Sequence, residues 1–139
     1  MYTFLRIIVI CILSVNAMGA LYGGLSLMLD PSGALLQMPL NFLEHSPFSS
    51  YLVPGIVLFV VNGLFSLLTL FMVLRKHPQC QRFIMAQGVL LAGWIAVQVA
   101  MLQIFYAPLH LPFFLMGAFL LFSGVIMAKQ KRTNPGEEI

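Results

Sequence analysis

Four apolar stretches, at about residues 4–29, 51–74, 83–105 and 109–128, take up most of this chain. Each is near the ~20 residues a helix needs to cross a bilayer core. Inside lipid the backbone has no water to bond, so segments of this length must be helical. Threaded in and out of a membrane, they leave Arg6, Arg75, Lys76, Arg82, Lys129, Lys131 and Arg132, all seven cations, on one face. The opposite face carries only Asp30 and Glu44. Lys and Arg are retained on the cytoplasmic side, so the expected topology places both termini in the cytoplasm.

Composition agrees with lipid as the solvent. The chain is 60% hydrophobic and 8% charged, against about 25% charged in soluble domains. One core of this size could not hide so much apolar surface from water. The net charge of +3 comes from short segments beside apolar spans. Membrane lipids are therefore its natural partners, and nucleic acid is not expected. Arg6, the apolar run that follows it and Val15-Asn16-Ala17 imitate a secretory signal. The apolar stretch continues to Leu29, however, and is read as an uncleaved first span.

The expected fold is a single all-α domain, an antiparallel four-helix membrane bundle with a short helical segment lying in the outer interface. That segment is the cap at 31–50. It opens on Asp30-Pro31-Ser32-Gly33, a turn signal, yet Leu35, Leu36, Met38, Leu40, Phe42, Leu43 and Phe48 make it too apolar for water. Asp30 or Ser32 is placed to cap a short helix at 34–37, and Ser49 or Ser50 to cap the second span. Pro54 and Pro112 are expected in the first turns of spans two and four. The loop at 75–82 makes spans two and three antiparallel neighbours. Residues 129–139 read as a frayed cytoplasmic extension.

Polar side chains within the spans are the informative ones. No Asp, Glu, Lys or His occupies the middle of a span, so proton-coupled antiport lacks its carrier carboxylate. At 1.5 Å per residue, Asn16, Asn62 and Trp94 fall near midplane. At 100° per residue, Gly55, Asn62, Ser66 and Thr69 share one face of span two, and Gln87, Trp94 and Gln98 one face of span three. The Trp94 indole N–H needs an acceptor, for which the Asn62 or Asn16 carbonyl is the expected partner. The plain reading is interhelical glue. The functional one is a polar pocket in which Asn62, Ser66, Trp94, Gln98 and Asn16 contact a ligand, between spans two and three beneath the cap.

Small residues mark close helix approaches or a homodimer, through Gly19 and Gly23 or through the ridge Gly88, Ala92, Ala96 and Ala100. Gly117 and Gly124 lie a heptad apart on span four. Cys11, inside the first span, and Cys80, in the cytoplasmic loop, form no CxxC motif, and a disulfide is not expected. Asp30, Glu44, His45 and His110 collect at the outer interface. They are the only groups placed for an outer catalytic site, and no metal or cofactor site is read from them. No G-x-S-x-G or phosphate-binding glycine loop occurs.

Asp30-Pro31-Ser32-Gly33, Ser46-Pro47-Phe48, Tyr51-Leu52-Val53-Pro54-Gly55, Val61-Asn62-Gly63, and Gly93-Trp94-Ile95 with Gln98 resemble segments of a group of small bacterial four-span membrane proteins of unknown function. The resemblance covers roughly the first three spans. It implies a bacterial cytoplasmic-membrane protein and carries no activity, ligand or catalytic residue. The leading functional expectation is a non-enzymatic accessory subunit or a binder of a lipid-like small molecule. The alternatives are a transporter or channel component acting as an oligomer, and an integral-membrane enzyme with an outer-interface site.

Overall fold

The computed structural model describes residues 1–136. Glu137, Glu138 and Ile139, the end of the expected frayed extension, lie outside the described residues. Four helices are long and apolar enough to cross a membrane: α1 (Tyr2–Leu29), α2 (Leu52–Leu74), α3 (Cys80–Leu102) and α4 (Ala107–Thr133). No strand occurs among the described residues. The fold is the expected all-α four-helix bundle.

The bundle is two hairpins, α1 with α2 and α3 with α4, set side by side with α2 against α3. In lipid there is no hydrophobic drive between helices, so close packing holds them. Where α1 meets α2, a Cβ on Gly24 would stand 2.7 Å from the Phe59 backbone N and 2.8 Å from the Gly55 carbonyl O. Where α3 meets α4, a Cβ on Gly88 would stand 2.6 Å from the Gly117 O. Only glycine permits these approaches. Val9, Leu13, Val73, Cys80, Ile84, Leu120 and Met127, drawn from all four helices, form the core of the half near the termini. We call this the basic end, and the opposite one the capped end.

At the capped end, residues 31–50 fold onto the bundle through two 3-10 turns, Ala34–Leu36 and Leu40–Leu43. Leu43 and Tyr51 pack with Leu27 of α1, and Met101 of α3 lies against them. The Tyr51 backbone N–H donates to the Pro31 carbonyl at 2.9 Å, and its hydroxyl donates to the Pro39 carbonyl at 2.7 Å. Burial pushes the Tyr51 phenol pKa up. Gly33 has φ +80°, and a Cβ there would press on the Tyr51 ring. The interfacial segment is thus a fitted cover.

Helix ends differ from expectation in local ways. The helix in span three starts at Cys80 rather than 83 and stops at Leu102, because Gln103 turns left-handed at φ 53°. The last helix starts at Ala107, so Pro108 takes the first turn and Pro112 falls inside the helix. There Pro112 has no N–H for the Pro108 carbonyl. The helix then runs to Thr133, and Lys129, Lys131 and Arg132 are helical rather than frayed. The two thiols are the reverse of what their spans implied. Cys80, drawn into the first turn of α3, is buried, and Cys11 is exposed on the outside of α1.

Candidate functional site

Two places in the bundle carry the residues on which a ligand-binding role rests: the polar cluster in its middle, and a cleft between α3 and α4.

The cluster is built on an irregularity. Within α2, residues Leu58–Leu64 form a π-helical segment, and such segments recur at functional positions. Asn62 lies in it and is fully buried. Next to it, a Cβ on Gly63 would stand 2.7 Å from Leu21 Cδ2, so α1 presses closely here. The Asn16 Nδ2 donates to the Ser66 Oγ at 2.8 Å and to the Asn62 carbonyl at 3.4 Å. The Gln87 Nε2 of α3 donates to the Asn62 Oδ1 at 3.3 Å. Asn16, Ser66, Asn62 and Gln87 therefore tie α1, α2 and α3 together. Two buried amide atoms, Asn62 Nδ2 and Gln87 Oε1, have no hydrogen-bond partner.

Trp94 and Gln98 are not in this cluster. Both are half-buried, and Gln87 occupies the place expected for the indole. The reason is depth along α3: Gln87 lies two turns nearer the basic end than Trp94, and Asn62 on its π segment meets it there. Thr69, on the same face of α2 as Asn62 and Ser66, bonds the Phe65 carbonyl of its own helix instead, at 2.8 Å. An open volume lies between α3 and α4.

That volume is an apolar cleft of about 460 Å³, within the ~300–1,000 Å³ of small-molecule sites. Ala96, Val99 and Ala100 of α3 form one wall, and Phe105, Leu111 and Phe114 the other. Its origin is visible along the pair. At Gly88 and Gly117 the backbones touch. Toward the capped end Phe114 of α4 and Ala96 and Ala100 of α3 line the cleft. The ridge Gly88, Ala92, Ala96 and Ala100 is thus divided. Its first two members pack on Gly117, and its last two are exposed in the cleft. Gly19 faces open space, with nothing within 4 Å of a Cβ placed on it, and Gly23 only touches Leu58.

The outer polar groups are engaged separately. The Asp30 carboxylate accepts from the Ser32 hydroxyl at 2.6 Å and from the Leu35 backbone N–H at 3.1 Å. These bonds, the Ser32 hydroxyl first, hold its pKa below the ordinary carboxylate value although it is only half-buried. His110 is buried, and its Nδ1 accepts from the Tyr106 backbone N–H at 2.9 Å, closing the first turn of α4. Its ring stacks on Phe105. Glu44 and His45 are exposed beside the second 3-10 turn. Among the described residues, no three His, Cys, Asp or Glu side chains converge as a metal site would require.

No family model, curated protein or solved structure matches this chain. Function has to be argued from these two places. Sequence reasoning put Gln87 on the polar face of span three but not among the residues meeting Asn62, although a Gln in an apolar span is itself the signal. It also missed the cleft, whose signal is the change from Gly to Phe along α4 opposite continuing alanines.

Proposed function

We propose that the chain is a non-enzymatic multi-pass protein of a bacterial cytoplasmic membrane, with both termini in the cytoplasm, and that it binds a lipid-like apolar molecule between α3 and α4. The observation that carries this reading is the cleft, apolar on both walls and floored by Ala96 and Ala100. Side chains of that size leave a lengthwise slot suited to an acyl chain, and no polar group demands a partner within it. The buried Asn16, Ser66, Asn62 and Gln87 set helix register behind the slot rather than meeting the ligand.

Native mass spectrometry of the detergent-purified protein titrated with palmitate tests this. The expected result is a saturable one-to-one adduct that Ala96→Phe/Ala100→Phe abolishes without unfolding the bundle. An adduct retained in the double variant, or no saturable adduct in the wild type, would overturn it. A dimer lost in the same variant would instead assign the slot to a second copy of the chain.

A second reading, a transporter or channel component acting as an oligomer, draws on the unpartnered Asn62 Nδ2 and Gln87 Oε1. A donor and an acceptor left free in the core suit a water or polar solute in passage. Asn62→Leu/Gln87→Leu in proteoliposomes tests it. Solute flux lost in that variant while the fold persists would favour this reading, and unchanged flux would reject it.

A further inference from the structure

Three of the seven cations, which topology alone explained in the sequence, converge. Arg6 of α1, Lys76 at the end of α2 and Lys131 of α4 line one cavity of about 30 Å³ at the basic end, together with His77 and Gln81. We propose that Arg6, Lys76 and Lys131 bind a phosphate group there, that of an anionic phospholipid headgroup.

Two of the three cations are held in place by backbone carbonyls rather than by an anion. The Arg6 Nη2 donates to the Val73 carbonyl at 3.1 Å and to the Leu74 carbonyl at 3.5 Å, in the last turn of α2. A guanidinium has five N–H donors, so most of Arg6 remains available. The Lys131 Nζ donates to the Pro78 carbonyl at 2.7 Å and keeps two donors. Lys76 sits at φ 53°, where the chain turns out of α2. The first turn of α3, with Gln81, opens onto the same cavity.

Three positive groups drawn together from three helices repel one another unless an anion sits among them. Among the described residues, Asp30 and Glu44 are both at the opposite end. A cavity of about 30 Å³, room for a water or two, does not enclose a whole headgroup. It accommodates one oxygen of a phosphate whose remainder lies at the membrane surface, where headgroups are. A phosphodiester presents two such oxygens, and arginine with lysine is the pair that recognises them. This site and the apolar cleft lie at opposite ends of the bundle, so neither proposal depends on the other.

The test uses the full chain in detergent, carrying Glu137→Gln/Glu138→Gln so that the tail carboxylates do not compete. Thermal midpoint is followed against dihexanoyl phosphatidylglycerol, dihexanoyl phosphatidylcholine and inorganic phosphate. The expected result is saturable stabilisation by the phosphatidylglycerol alone. Lys76→Gln and Lys131→Gln each weaken the apparent affinity about fivefold. Arg82→Gln and Lys129→Gln, at the same end but outside the cavity, leave it unchanged. Equal weakening by all four variants would reduce the effect to diffuse charge and overturn the site. No preference over phosphatidylcholine would do the same. Stabilisation by inorganic phosphate at matching concentration would overturn the lipid assignment and leave a site for free phosphate.

Discussion

The Asn16 side chain donates to the Ser66 hydroxyl across 2.8 Å, and both residues are buried. A direct bond between two polar side chains in the core joins α1 to α2. Such bonds contribute about 0.6 kcal/mol on average in membranes. A double-mutant cycle with Asn16→Ala and Ser66→Ala should therefore return a coupling of about that size. Trp94→Phe should leave the unfolding midpoint unchanged, since the indole lies outside the cluster. A large loss on Trp94→Phe would restore the arrangement expected from sequence.

The glycines divide into those that bear contact and those that do not. Gly24→Ala and Gly88→Ala each force a methyl group against opposing backbone that has no side chain to move aside. Each should destabilise by about 1–3 kcal/mol. Gly19→Ala and Gly93→Ala, with nothing within 4 Å of the added atom, should be neutral or slightly stabilising through better helix propensity. Comparing the four midpoints in one detergent checks this, and equal losses would contradict the packing.

Asp30 makes the cap sensitive to acid. Its pKa is lowered in the folded state, so its contribution is fully present above the unfolded carboxylate value. It is lost as pH falls through the lower, folded value. Below that value the bonds from Ser32 and Leu35 weaken and the turn leading into residues 31–50 loosens. The Leu35 amide resonance, followed by NMR in micelles, should titrate with an apparent pKa below that of an ordinary carboxyl. In Asp30→Asn that titration should vanish.

The two native thiols and two introduced ones report on burial and orientation. A lipid-soluble maleimide should modify Cys11 well before Cys80, because only Cys11 lies on the outside of the bundle. In a Cys11→Ser/Cys80→Ser background, an impermeant maleimide should reach Ser49→Cys on intact cells. It should reach Thr133→Cys only after permeabilisation. The opposite pattern would invert the topology.

Span number, helical class and the apolar cap were legible because each follows from a quantity that adds along the chain: hydropathy, charge or turn chemistry. Asn16, Asn62 and Ser66 were legible as one cluster because depth and helical face can be counted. Trp94 was misassigned because counting depth does not locate a π segment, which alters the path of α2 just where Asn62 is presented. Cys80 and Pro112 were misplaced through helix ends, which depend on local bonds such as the one from the Tyr106 N–H to His110. The α3–α4 cleft is a property of two facing surfaces, so neither helix of the pair reveals it alone. The cavity around Arg6, Lys76 and Lys131 was hidden in the same way, by residues far apart in sequence that topology had already accounted for.

The grouping of the close backbone contacts bears on how this protein is made. Gly24 meets Gly55 and Gly88 meets Gly117 within the first and second hairpins, so each seal joins segments adjacent in translation. The first hairpin is complete, with Asn16 already on Ser66, once α2 has left the ribosome and entered the bilayer. It then presents the Asn62 amide to lipid until Gln87 arrives. Docking of the second hairpin then gives the Asn62 Oδ1 its partner, while its Nδ2 stays unpartnered.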